Sequence, residues 1–231
     1  MKDEVLRQIK SEIRATISER QAELDAKYFM ELSKGNKAVR QTYVPPAFRT
    51  ELSKRLRQLS GLSAKTPTKN TMSEFKKVYD TLDKYIASFP TPKNLVFIGA
   101  AGTGKTYAAH FVGNKLLGKE FSVLFVTAFS LVQRFKDFIF NFENSALDHL
   151  LTCDLLIIDD LGTEPKIKNI SEEYLLNVIN ERLANNLPFI ITTNLSPDDI
   201  LARYDQRLTS RILSKQTSVV IEMKCKDLRL T

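Results

Sequence analysis

The chain has 231 residues, of which 43% are hydrophobic and 26% charged, a balance typical of folded globular proteins and not of disordered ones. No apolar stretch approaches the ~20 residues that cross a bilayer, and the charged amino terminus lacks the pattern of a secretory signal, so we expect a cytoplasmic protein without a membrane partner. The net charge of +7 comes from residues 1–93, which hold 19 Lys and Arg against 11 Asp and Glu, whereas residues 94–231 hold 15 against 16. This basic excess indicates either an acidic partner or a solvated helical face.

The first 60 residues are predicted to form a basic helical adaptor region. Apolar residues recur there at every fourth position: Val5, Ile9, Ile13 and Ile17. That spacing places them on one helix face, which either packs on the rest of the chain or docks onto another protein. Residues 61–72, rich in Ser, Thr, Gly and Lys, predict a linker. A domain over 73–231 follows and begins with an amphipathic helix at 73–89.

After residue 93 the pattern alternates between apolar strands and helices. The predicted strands are 95–98, 122–126, 155–158, 189–192 and 219–222. The predicted helices are 105–117, 130–142, 147–151, 171–185, 198–203 and 206–213. Strands separated by helices predict an α/β fold with three layers, in which helices cover both faces of a parallel five-stranded sheet. The nucleotide-binding core is thereby assigned to 94–231.

The strongest motif is the octapeptide GAAGTGKT at 99–106, which fits the pattern G-x-x-x-x-G-K-[ST] between a strand and a helix. Its glycines allow successive backbone N–H groups to surround phosphate oxygens. Lys105 would neutralise the β- and γ-phosphates, and Thr106 would bind Mg²⁺. The predicted ATP-binding residues are Gly99, Ala100, Ala101, Gly102, Thr103, Gly104, Lys105, Thr106 and Tyr107.

Polar residues at the ends of two later strands complete the predicted catalytic site. Asp159 follows a buried strand beside the phosphate loop, where it would hold Mg²⁺ together with Thr106. Asp160 would polarise the attacking water. Asn194 would position that water, or alternatively it would cap the helix that starts near Ser196.

Arginines near the carboxyl end are candidates for contacts with ATP. Arg203, Arg207 and Arg211 are spaced by four, so a continuous helix would place them on one face, directed at the ATP of a neighbouring subunit. Arg229 could reach the γ-phosphate of its own subunit. The alternative is that these are ordinary surface arginines.

Several segments in order resemble the DnaC/DnaI-type helicase loaders, which are AAA+ ATPases related to the IstB transposition ATPases. The matching segments are 99–106, 155–164, 192–196, 203–213 and 227–229. The resemblance implies that 99–106 is Walker A, that Asp159 and Asp160 are Walker B, and that Asn194 is sensor 1. It further implies that Arg211 is the arginine finger, Arg207 a second trans-acting arginine and Arg229 sensor 2.

In this family an additional helix binds single-stranded DNA, and here it would lie within 130–150. The residues suited to phosphate contact and base stacking are Arg134, Lys136, Phe138 and Phe140. The alternative is that phenylalanines of this helix, Phe138 among them, face the core.

The resemblance implies an ATP-dependent loader that self-associates through its ATP sites, binds a hexameric replicative helicase and places it on single-stranded DNA. The Asp-Asp pair replaces the Asp-Glu of many AAA+ proteins, so we expect slow, partner-stimulated ATP hydrolysis. Only 37 residues follow Asn194, which predicts a domain without a helical lid. The alternatives are an IstB-like accessory ATPase of transposition, or an ATP-binding interaction module with little turnover.

Overall fold

The computed structural model describes residues 60, 62, 76–141, 145–168 and 170–224. The predicted adaptor region other than Ser60, most of the predicted linker, and Arg229 lie outside the described residues. Leu62 belongs to the predicted linker, yet it is buried and packs in the same hydrophobic cluster as Val112 and Ile157. This one linker residue is therefore part of the core.

Seven helices and five strands alternate along the described ranges. The helices are α1 (Lys76–Ser88), α2 (Lys105–Leu117), α3 (Ala128–Asn141), α4 (Ser145–Thr152), α5 (Ser171–Ala184), α6 (Pro197–Arg203) and α7 (Gln206–Ile212). The strands are β1 (Asn94–Ile98), β2 (Val123–Thr127), β3 (Leu155–Leu161), β4 (Phe189–Thr193) and β5 (Ser218–Glu222). Among the described residues no helix is both long enough and apolar enough to span a membrane.

All five strands are parallel and lie in the order β2-β3-β4-β1-β5. Strand β4 therefore lies between β1, which leads into the phosphate loop, and β3, which carries Asp159. Because the carboxyl ends of parallel strands meet at one edge, polar residues ending β4 must lie between those two features. The predicted parallel five-stranded α/β sheet is confirmed.

Each face of the sheet carries its own hydrophobic cluster. On β3, Leu155 and Ile157 pack with residues of α1 and α2, whereas Leu156 and Ile158 pack with residues of α3 to α7. This alternation follows from the two-residue period of a strand, and it explains why all four residues are apolar. The three-layer arrangement is confirmed.

Asn94 fixes the amino ends of three strands. Its side-chain oxygen accepts a hydrogen bond from the backbone N–H of Phe189 at 3.0 Å. Its amide nitrogen donates to the carbonyl of Thr217 at 3.0 Å and lies 3.4 Å from Ser218 Oγ. One buried side chain therefore joins β1 to β4 and to β5.

Candidate nucleotide-binding site

The phosphate loop has a backbone that only glycine adopts easily. Gly102 and Gly104 have φ angles of 77° and 88°, in the left-handed region that L side chains disfavour. At Gly99 a Cβ atom would lie 2.4 Å from the carbonyl oxygen of Met223. The glycines of the motif are therefore required by the loop conformation and by its contact with the end of β5.

The Lys105 side chain lies inside the loop that precedes it. Its ammonium donates hydrogen bonds to the carbonyls of Gly99 at 2.8 Å and Ala100 at 2.7 Å. Thr103 Oγ1 donates to the same Ala100 carbonyl at 2.9 Å. The buried positive charge is thus held where phosphate oxygens would meet it.

Asp159 receives hydroxyl groups on both of its carboxylate oxygens. Thr106 donates to Oδ2 at 3.2 Å, and Thr192 donates to Oδ1 at 2.7 Å. Burial raises the pKa of Asp159, and the two hydroxyl hydrogen bonds partly oppose that rise. A hydroxyl beside a carboxylate supplies the hard oxygen ligands that Mg²⁺ prefers, so Thr106 and Asp159 fit this metal.

Asp160 is held through its backbone. Its φ is 57°, its N–H donates to Thr192 Oγ1 at 2.9 Å, and its carbonyl accepts from Thr163 Oγ1 at 2.8 Å. Thr192 therefore contacts both acidic residues, and the sequence reasoning missed it. The available signal was its position as the last residue of the strand predicted at 189–192, which ends at this site.

Asn194 is exposed and directly follows the last residue of β4. The alternative interpretation, that it caps the next helix, is wrong, because the cap of α6 is Ser196. The Ser196 hydroxyl accepts from the backbone N–H of Asp199 at 3.1 Å, and the Asp199 carboxylate in turn accepts from the Ser196 backbone N–H at 3.2 Å.

The three arginines do not share one continuous helix, because they are divided between α6 and α7, in agreement with the separate helices predicted at 198–203 and 206–213. Helix α6 ends at Arg203, the next residue Tyr204 is extended, and α7 starts after its cap, Asp205. Arg203 instead forms an ion pair of 3.1 Å with the buried Glu164. Its side chain is 22% exposed and binds within its own subunit, so it is not an ordinary surface arginine.

The two arginines of α7 are exposed. Arg207 pairs with Asp205 at 2.6 Å, and Arg211 donates to the side-chain oxygen of Asn180 on α5. Both side chains remain accessible from outside the subunit.

One face of α3 combines two exposed aromatic side chains with a basic one. Phe129 and Phe140 are 54% and 62% exposed, and Lys136 lies between them at helical spacings of seven and four. We call these three residues the α3 stripe. Phe138 packs against Tyr174, with ring centroids 6.0 Å apart, and Arg134 lies on nearly the opposite side of α3 from Lys136, so neither belongs to the stripe.

The sheet order and the glycine-rich loop after β1 define a P-loop protein of the AAA+ fold. A family model described as "IstB-like ATP binding protein" matches residues 58–231. The chain therefore belongs to the IstB-like ATP-binding proteins.

Curated relatives and solved structures agree with this assignment. The chain is 29% identical over 147 residues to the replicative helicase loader DnaC of Escherichia coli K12, covering 62% of this chain and 57% of the relative. It is 28% identical over 133 residues to the replicative helicase loader DnaI of Bacillus subtilis, covering 56% and 42%. A crystal structure of the DnaC helicase loader superimposes with a TM-score of 0.60 and 23% identity, covering 74% of this chain and 99% of that one. The chain thus spans about half the length of the curated relatives it matches.

Proposed function

We propose that the protein is an ATP-dependent helicase loader of DNA replication, which binds a hexameric replicative helicase and places it on single-stranded DNA. The observation that carries this proposal is the similarity, over more than half of the chain, to loaders from two different bacteria. Two features of the described residues support it: the phosphate loop with Lys105 inside it, and Asp159 beside the Thr106 hydroxyl.

ATP hydrolysis would use the residues of this site in separate roles. The Lys105 ammonium would release the two loop carbonyls that it contacts and bind the β- and γ-phosphates in their place. Thr106 and Asp159 hold Mg²⁺, which neutralises phosphate charge when bound. Asp160 accepts a proton from the attacking water, and Asn194 orients that water. The water oxygen bonds to the γ-phosphorus as the bond to the bridging oxygen breaks, releasing ADP and phosphate. We expect slow turnover because the Asp160 carboxylate is one methylene shorter than glutamate.

The exposed arginines of α7 would complete the site of an adjacent subunit. Arg211, and with it Arg207, would contact the γ-phosphate bound by a neighbour, so that ATP promotes self-association. Arg229 would act on the ATP of its own subunit. The accessibility of the two α7 side chains supports the first of these roles.

Single-stranded DNA would lie along the α3 stripe. Exposed aromatic rings stack with bases of any sequence, and a lysine between them contacts phosphate. Of the residues predicted from sequence, Lys136 and Phe140 stay in this proposal and Phe129 joins them.

Native mass spectrometry of the protein mixed with the hexameric helicase of its own source tests the proposal. We expect several copies per hexamer with ATP and fewer without it. Lys105→Ala, which removes the phosphate-binding ammonium, should lose the effect of ATP. Free helicase and free monomer in both conditions would contradict loading.

The family description favours a second function, that of an accessory ATPase of transposition. A protein of that kind would bind duplex DNA and a transposase. Strong ATP-dependent binding to duplex DNA, with no affinity for the helicase, would select this function instead.

A further inference from the structure

A buried carboxylate lies in the loop between β3 and α5. Glu164 is 6% exposed. Its Oε2 accepts a hydrogen bond from the backbone N–H of Gly162 at 2.8 Å, and its Oε1 accepts from Arg203 at 3.1 Å and from the hydroxyl of Tyr204. Tyr204 is itself only 4% exposed. The carboxylate therefore joins two segments that are about 40 residues apart in sequence.

On one side, Glu164 fixes the loop that follows Asp160. Gly162, which it holds, has a φ of 107° and no space for a Cβ atom beside Leu195. Thr163, which lies between Gly162 and Glu164 in the chain, donates a hydrogen bond to the Asp160 carbonyl. The conformation of Asp160 thus depends on a short loop whose end is held by Glu164.

On the other side, Glu164 fixes the start of α7. Tyr204 precedes Asp205, whose carboxylate caps α7 by accepting from the Leu208 N–H at 2.9 Å. The Asp205 N–H donates to Glu172 at 2.5 Å. Helix α7 then carries Arg207 and Arg211 on its exposed surface.

We propose that Glu164 is a positioning residue, which couples Asp160 in a subunit's own ATP site to the α7 helix that the subunit presents to its neighbour's ATP. This inference rests on the proposed function, since it assumes an intersubunit site. A buried carboxylate bonded to an arginine and a tyrosine is costly to separate from them. Helix α7 and the Asp160 loop therefore move together, and engagement of a neighbour's γ-phosphate is transmitted to Asp160.

Mixed subunits test this coupling on the full chain. Lys105→Ala subunits cannot use their own ATP but can donate Arg211, whereas Arg211→Ala subunits keep their own site and need an arginine from a neighbour. Mixing the two should restore ATP hydrolysis. We expect Glu164→Gln to lower the kcat of the restored site about fivefold, with KM for ATP and bound ATP per acceptor site unchanged. This loss should occur when the change is in the donor, where it acts through α7, and also when it is in the acceptor, where it acts through Asp160.

Tyr204→Phe in the donor gives a second variant, which removes only one hydroxyl and should act in the same direction. Glu181→Gln, an exposed carboxylate on α5, is the matched control and should have no effect. Thermal unfolding checks that each donor is folded. If neither Glu164→Gln nor Tyr204→Phe lowers the kcat of the restored mixture, the coupling is wrong, whereas the intersubunit site still stands. A parent mixture without restored hydrolysis contradicts the intersubunit site, and the coupling with it.

Discussion

The hydroxyl of Thr192 donates a 2.7 Å hydrogen bond to the Asp159 carboxylate and accepts one of 2.9 Å from the backbone N–H of Asp160. One side chain of β4 thus orients two consecutive acidic residues of β3. The arrangement follows from the sheet order, because β4 is the direct neighbour of β3.

Replacing Thr192 by Val, which keeps the shape and removes the hydroxyl, should lower Mg²⁺-dependent ATP hydrolysis about tenfold. The reason is that a hydrogen bond to a charged group is lost, and the part-buried Asp160 N–H loses its acceptor as well. Steady-state kinetics over a range of Mg²⁺ concentrations measures the effect. Thr209→Val, in which the lost hydroxyl donates to the carbonyl of Asp205, the cap of α7, is the control. Equal rates for Thr192→Val and the parent protein would show that this hydroxyl does not orient the site.

The α3 stripe should account for a large share of affinity for single-stranded DNA. Phe129→Ala and Phe140→Ala should each weaken binding about tenfold, since each removes a stacking surface worth ~1–3 kcal/mol. Fluorescence anisotropy with a labelled oligonucleotide measures this directly. Leu201→Ala removes a similarly exposed apolar side chain on α6 and should leave affinity unchanged. A loss of the same size in Leu201→Ala would mean that the stripe is not the DNA surface.

The buried side chain of Arg182 stabilises the core. It is fully buried, and its guanidinium donates to three carbonyls, those of Leu150, Cys153 and Pro188, at 2.7 to 3.0 Å. Arg182→Leu should lower the free energy of unfolding by about 3 kcal/mol, because these carbonyls lose their donor. Urea unfolding measures the change, and the exposed Arg207→Ala should alter stability by less than about 0.5 kcal/mol. A small effect of Arg182→Leu would imply that water or other donors replace the guanidinium.

His110 should make stability depend on pH. Burial lowers the pKa of His110, and the nearby Asp159 carboxylate opposes this effect only in part. The unfolded chain therefore binds the proton more readily than the folded one, so stability should fall as the pH drops below the ordinary value of 6.5. The Tm without nucleotide at pH 7.5 and 5.5 measures this fall, which should shrink in His110→Gln but persist in His149→Gln. The same fall in all three proteins would exclude His110 as its source.

The sequence predicted the sheet and the phosphate loop well, because both follow from local patterns. Four consecutive apolar residues at 155–158 and a complete glycine motif leave few alternatives. The separate helices 198–203 and 206–213 were predicted as well, but the contact that holds the segment between them was not. Glu164, 40 residues from Tyr204, accepts a hydrogen bond from the Tyr204 hydroxyl in the core, and no local pattern indicates this tertiary interaction.

Side-chain contacts across strands were beyond sequence reasoning for a related reason. Thr192 is one of two consecutive threonines, and only the register of β3 against β4 determines which of them meets Asp159. That register has an irregularity between Ile158 and Leu161, which no local pattern indicates. Asn194, Arg207, Arg211 and Arg229 keep their predicted roles as proposals.

The sheet order also determines when the protein can first bind ATP during its synthesis. Strand β1, which leads into the phosphate loop, pairs only with β4 and β5 in the described sheet, and Asn94 contacts residues 95 and 124 positions further along the chain. Such distant contacts form slowly and late. A ribosome-bound chain that ends before β4 contains the entire glycine motif but neither neighbour of β1. Competence for ATP should therefore arise only after β4 and β5 have been synthesised, long after the loop that holds the phosphates has been made.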